Sequence, residues 1–79
     1  MGFAKTEREW AKRASSHLKA ELKRADVTYE KLAKRLNANG FTETKASISN
    51  KLARATVPAS FFLACLAALE LEGVRLEDI

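Results

Sequence analysis

Two threonines, Thr28 and Thr44, each stand directly before a short run with helical spacing, where a hydroxyl accepts a hydrogen bond from an early helical N–H. The first run extends from Thr28 to Leu36, with Leu32, Ala33 and Leu36 as its inward stripe. The second extends from Thr44 to Arg54, with Ile48 and Leu52 turned inward and Lys45, Ser47, Ser49, Asn50, Lys51 and Arg54 outward. These outward residue types suit recognition rather than catalysis. Asparagine pairs bidentately with adenine and lysine reaches guanine in the major groove, so Thr44, Lys45, Ser49 and Asn50, in the N-terminal half of the second helix, are the candidate base contacts. Thr28, backed by a helix dipole, suits a phosphate. Lys31, Lys34, Lys51 and Arg54 suit the phosphate backbone, which sets register rather than sequence. The ordinary alternative for each lysine is a solvated side chain. Asn50 is harder to dismiss in that way, because asparagine is a poor mid-helix residue.

The rest of the chain holds little that does other chemistry. His17 is the single histidine, no Cys/His cluster has zinc spacing, and no phosphate loop or paired carboxylates occur. We therefore expect no enzyme activity, no metal, no cofactor and no small-molecule substrate. Cys65, the one cysteine, lies among Phe61, Phe62, Leu63, Ala64 and Leu66 and reads as a buried structural thiol in a reducing, cytoplasmic compartment. Met1 to Trp10 has no signal-peptide core, and the nine apolar residues from Phe61 to Leu69 fall short of the roughly 20 that span a bilayer.

Charge is unevenly placed. The net charge is +4, but residues through Arg54 carry 13 Lys/Arg against 6 acids, or +7, and the remainder carries 1 against 4, or −3. The basic surplus lies on the part containing the two short helices and suits a polyanion. Glu70, Glu72, Glu77 and Asp78 read as a solvated acidic rim.

Three Gly and one Pro in 79 residues, with Ala, Leu, Glu, Lys and Arg abundant, predict an all-α fold. One domain over residues 6–79 is expected after a disordered start at 1–5. A first helix from about Thr6 to Ala25 has Trp10, Ala14, Leu18 and Leu22 as its apolar stripe. Asp26 and Val27 break it. A second helix spans about Thr28 to Ala38 and ends at Asn37, Asn39 and Gly40, with Gly40 as a left-handed cap and Phe41 plugging the core. The third spans about Lys45 to Arg54. Pro58 opens a fourth, about Ala59 to Leu71, which Gly73 ends. Val74, Leu76 and Ile79 suggest a closing fifth turn packed back on the bundle. The fourth helix is apolar almost all round, which predicts either a central core helix or an interface in a homodimer; Phe61, Phe62, Leu76 and Ile79 are the candidate interface residues.

In this order the segments resemble the Cro and phage-repressor (XRE-type) class of helix-turn-helix domains. The likeness rests on Val27 to Leu36, whose Leu32-Ala33 pair resembles the one that packs on the recognition helix, and on Ser47 to Arg54, similar to that helix and its exit. Pro58-Ala-Ser, Leu66-Ala-Ala-Leu69 and Val74 to Ile79 resemble the later elements, and the likeness covers about Leu18 to Ile79. The chain as a whole is similar to a family of small bacterial proteins of unknown function. The resemblance implies a five-helix lambda-repressor-like bundle whose helix-turn-helix has a lengthened turn, since Ala33 and Ile48 are fifteen positions apart. Ala55 stands where the class has a glycine, and Ile48 and Leu52 are four apart where the class spaces them by three, which rotates the outward face.

The function expected is sequence-specific binding of double-stranded DNA by a small transcriptional regulator, acting as a homodimer. The alternative is a protein-interaction module, antitoxin-like or a regulator subunit, that uses helix 59–71 and no nucleic acid. RNA binding ranks third, because Trp10, Tyr29 and Phe41 have core positions to fill rather than bases to stack on.

Overall fold

Three threonine hydroxyls start three of the helices. Thr6 Oγ1 accepts from the Glu9 N–H at 3.1 Å, Thr28 Oγ1 from Lys31 at 3.1 Å, and Thr44 Oγ1 from Ser47 at 3.0 Å. In the computed structural model, which describes residues 4–79, these caps precede α1 (Glu7–Ala25), α2 (Tyr29–Asn37) and α3 (Lys45–Arg54). Pro58 precedes α4 (Ala59–Ala68) without a side-chain cap, and a 3₁₀ turn, Leu76–Asp78, follows near the end.

All four helices end with the same backbone device. The N–H of Val27, Phe41, Thr56 and Leu71 reaches back five residues to the carbonyl of Leu22, Leu36, Lys51 and Leu66, at 3.0, 3.2, 2.9 and 2.9 Å. Nested inside is the bond made by the preceding residue to the carbonyl three before it, which completes a Schellman motif. The preceding residue must be left-handed, and φ is 56° at Asp26, 96° at Gly40, 55° at Ala55 and 60° at Glu70. Gly40 is the cap that the sequence suggests. Ala55, which should resist this conformation, adopts it nonetheless, because the bond satisfies orphan carbonyls and turns the chain toward α4.

Two sequence expectations need correction. Among the described residues there are four α-helices and one 3₁₀ turn, not five helices. The fourth helix stops at Ala68 rather than Leu71, and its left-handed stop is Glu70 rather than Gly73. Early termination lets Leu71 and Val74 fold back on the core, which a continued helix would carry away from it. As for the stretch 1–5, residues 1–3 lie outside the described residues. Ala4 is 4% exposed, and the Lys5 N–H donates to the Glu9 carboxylate at 3.3 Å.

The core lies where α1 and α2 each pack on both α3 and α4. Leu18 and Leu22, Leu32, Ala33 and Leu36, Ile48 and Leu52, and Phe61, Cys65 and Leu66 form one cluster, with Phe41 packed against it. Trp10 and Ala14, at the start of the α1 stripe, are only half-buried. One polar strut crosses the core edge, where the buried Ser15 hydroxyl donates to the Leu52 carbonyl and joins α1 to α3. No single helix among the described residues is long and apolar enough to cross a membrane.

The shared helix ends generate a paired expectation. A Cβ added at Gly40 meets no atom within 4 Å, so Gly40→Ala should suffer only from the left-handed backbone, by about 1 kcal/mol. Ala55→Gly should gain a similar amount. For a domain this size, thermal melts followed by circular dichroism should move down and up respectively by about 4–8 °C; equal midpoints would refute the strain at Ala55.

Candidate nucleic-acid interface

The turn between α2 and α3 is held by two side chains that bond to it. Asn37, the last residue of α2, accepts at Oδ1 from the Glu43 N–H at 2.7 Å and donates from Nδ2 to the Glu43 carbonyl at 2.9 Å. This two-pronged clamp closes residues 38–42 into a loop braced along its base. Glu43 itself is 9% exposed. Its carboxylate accepts from the Ser47 hydroxyl at 2.7 Å and is paired with Lys51, while Ser47 Oγ also accepts from the Thr44 N–H at 2.8 Å and completes a capping box. Lys51 Nζ also lies 4.7 Å from the centre of the Phe61 ring, a cation–π contact that carries the network from α3 to α4.

The electrostatics follow from this geometry. Burial alone raises the Glu43 pKa, but the Lys51 and Ser47 hydrogen bonds and the Lys51 charge outweigh it and leave the carboxyl below its ordinary 4.5. Cys65, 1% exposed, is pushed up to about 12 by burial and by the Glu43 charge, with Lys51 opposing. It is an inert core thiol. No buried side-chain polar atom among the described residues lacks a hydrogen-bond partner.

This network redistributes the residues expected at the interface. Thr44, Lys45, Ser49, Asn50 and Arg54 are exposed on or beside α3, and Thr28, Lys31 and Lys34 are exposed on or beside α2, which packs on α3. The caps Thr28 and Thr44 use an oxygen lone pair internally and keep a hydroxyl hydrogen to donate. Lys51 does not project freely, because Glu43 and Phe61 hold it against the protein. Ser47, expected outward, turns into the capping box. Phe61 is 2% exposed and belongs to the core, so it is not a surface group. Phe62 is half-buried, with its ring 6.4 Å from that of His17. Leu76 is exposed, while Ile79 is half-buried in a groove of about 800 Å³ between α1 and the C-terminal segment.

Sequence reasoning missed four positions. Ala46 and Ala53 are exposed on α3 between Lys45 and Arg54, so the outer face is low in its middle and cationic at its ends. Leu63 of α4 is 64% exposed. Glu43 lies before the Thr44 cap and outside α3, so helical spacing gives no sign that its carboxylate meets Ser47 and Lys51.

These features define a small all-α domain in which four capped helices surround one core. The chain belongs to the family described as a domain of unknown function (DUF6471), whose model matches residues 10–74. No curated protein and no solved structure matches it. Among the described residues, no group of three or more His, Cys, Asp or Glu side chains is placed to hold a metal ion.

Lys51→Met should leave the Glu43 carboxylate buried without its cation. The expected loss is on the order of 2 kcal/mol, below the range for fully buried pairs because the Lys51 side chain keeps 31% of its exposure. Glu43→Gln/Lys51→Met should recover part of that loss in a double-mutant cycle. Because the folded pKa of Glu43 is depressed, its contribution is present above about pH 4.5 and disappears as pH falls through the folded value. Urea melts across that window should show a shallower acid loss in Glu43→Gln than in the parent; parallel curves would remove Glu43 from this role.

Proposed function

We propose that the chain binds double-stranded DNA sequence-specifically as a small transcriptional regulator of helix-turn-helix type, with α3 in the major groove. The reading is supported above all by the outer face of α3. Lys45, Ala46, Ser49, Asn50, Ala53 and Arg54 are all exposed, while the opposite side of the helix is anchored by Ile48, Leu52 and the Glu43–Lys51 pair. Short side chains in the middle of such a face allow the backbone to approach a groove floor. Asn50 then reaches adenine, and Ala46 or Ala53 meets a thymine methyl group. Lys45 is the candidate for guanine, with Thr44 and Ser49 as further donors at base edges. Thr28, Lys31, Lys34 and Arg54 hold phosphates. Lys51 is removed from the phosphate contacts and serves instead to orient α3. The resemblance of Val27 to Leu36 and Ser47 to Arg54 to the Cro and phage-repressor class points the same way, and the reading implies a cytoplasmic site of action.

A single domain offers one short reading helix, so we propose a homodimer whose two α3 helices meet half-sites about 34 Å apart. Exposed Leu63 is its apolar anchor, replacing Phe61, beside half-buried Phe62. Leu76 and Ile79 remain candidates at the C-terminal end. The same exposed leucine favours a second reading, in which α4 docks on a different protein and no nucleic acid is bound.

Titration of a labelled mixed-sequence duplex at two salt concentrations tests the first reading. The parent should bind with steep salt dependence, and Asn50→Ala/Arg54→Ala should weaken binding by tenfold or more. No binding at low salt would refute DNA recognition and leave the protein-docking reading.

Leu63→Asp tests the dimer by sedimentation equilibrium. The parent should associate at micromolar concentration and the variant should remain monomeric with an unchanged melting midpoint. A monomeric parent, both free and on DNA, would refute it.

A further inference from the structure

The cations of α1 are not scattered. At 100° per residue, Arg8, Lys12, Lys19 and Lys23 project within about 60° of one another, along a stripe about 22 Å long. All four are exposed, and among the described residues none of them is in an ion pair. The acids of the helix lie off the stripe: Glu9 pairs with Arg13 and Glu21 with Arg24. Helical spacing places the stripe next to Ser15, the residue that bonds to Leu52 of α3. Its N-terminal end also borders α3, since Arg8 and Ala55 line one shallow depression together with Glu7. The stripe therefore begins beside the exit of α3, where Arg54 stands.

Like charges at this spacing repel one another, so the stripe weakens the isolated helix. A row of cations without internal partners has as its complement a row of anions. An anionic bilayer suits it poorly, because surface binding also needs an apolar face, and the apolar side of α1 is already occupied in the core by Leu18 and Leu22.

We infer that Arg8, Lys12, Lys19 and Lys23 form a second, sequence-independent nucleic-acid contact, in which α1 follows the phosphodiester backbone flanking the segment met by α3. This contact rests on the DNA reading above and extends it. It supplies affinity and salt dependence while α3 supplies base preference.

The test uses the full chain, a mixed-sequence duplex and a series of salt concentrations, with Arg8→Gln/Lys12→Gln/Lys19→Gln/Lys23→Gln beside Asn50→Ala. Phosphatidylserine vesicles serve as the anionic control, and circular dichroism checks that the quadruple variant, altered only at exposed positions, keeps its helices. Each lost phosphate contact lowers the slope of log K against log salt by about one. The quadruple variant should therefore lose about three to four from the slope and weaken on every duplex alike, whereas Asn50→Ala should flatten the preference among sequences with its slope intact. A parent that binds duplex and a quadruple variant with the same slope and affinity would overturn the stripe and leave the α3 reading standing. Loss in the quadruple variant with no effect of Asn50→Ala would keep the stripe and overturn base reading by α3. A parent that binds vesicles but no duplex would overturn both.

Discussion

A single carboxylate in the turn between α2 and α3 ties together most of what orients this molecule. Glu43 is gripped through its backbone by Asn37, the last residue of α2. Its side chain is gripped by Ser47 and Lys51 of α3. Lys51 in turn lies over Phe61 of α4. Burying a carboxylate is unfavourable unless its lone pairs are met and its charge is opposed, and here both conditions hold. An apolar plug in that place would offer no such directional demand. Together with buried Ile48 and Leu52, the ion pair holds α3 in the rotation that leaves Lys45, Ser49, Asn50 and Arg54 outward.

The energetic consequence is a division of labour between the two sides of α3. Its inner side spends Ile48, Leu52, Ser47 and Lys51 on the fold. Its outer side is left with small and polar groups that the fold does not use. The Schellman endings work in the same direction, since each turns the chain sharply after a short helix and three of the four do so without glycine. Left-handed residues at Asp26, Ala55 and Glu70 are tolerated because each terminates a helix whose next segment must return to a common core. In a domain of this size the margin of stability is small, so such strain is significant.

Much of the architecture was readable from residue spacing. The apolar stripes of the first three helices, the threonine caps Thr28 and Thr44 and the left-handed Gly40 are local matters, set by 3.6-residue periodicity and by the geometry of a hydroxyl near an amide. The end of the fourth helix was not readable, because Ala68 to Leu71 are all acceptable in a helix and the stop depends on where Leu71 and Val74 find the core. The inward turn of Lys51 was equally hidden. A lysine at a helical position reads as solvated until an acid from outside the helix is shown to meet it. Phe61 and Leu63 exchange their expected prominence for the same reason, since an all-apolar helix carries no mark of which side is inside.

Sequence alone determined the fold class, the helix starts and the segregation of positive charge onto the first 54 residues, because each depends on composition or on neighbours within a turn or two. Tertiary structure decided the number of helices, the inward hold on Lys51 and the choice of Leu63 over Phe61 as an exposed group. It also set Arg8, the first cation of the α1 stripe, beside the exit of α3. These features depend on contacts between residues far apart in the chain, where burial and ion pairing choose among several orientations that local spacing leaves equally open.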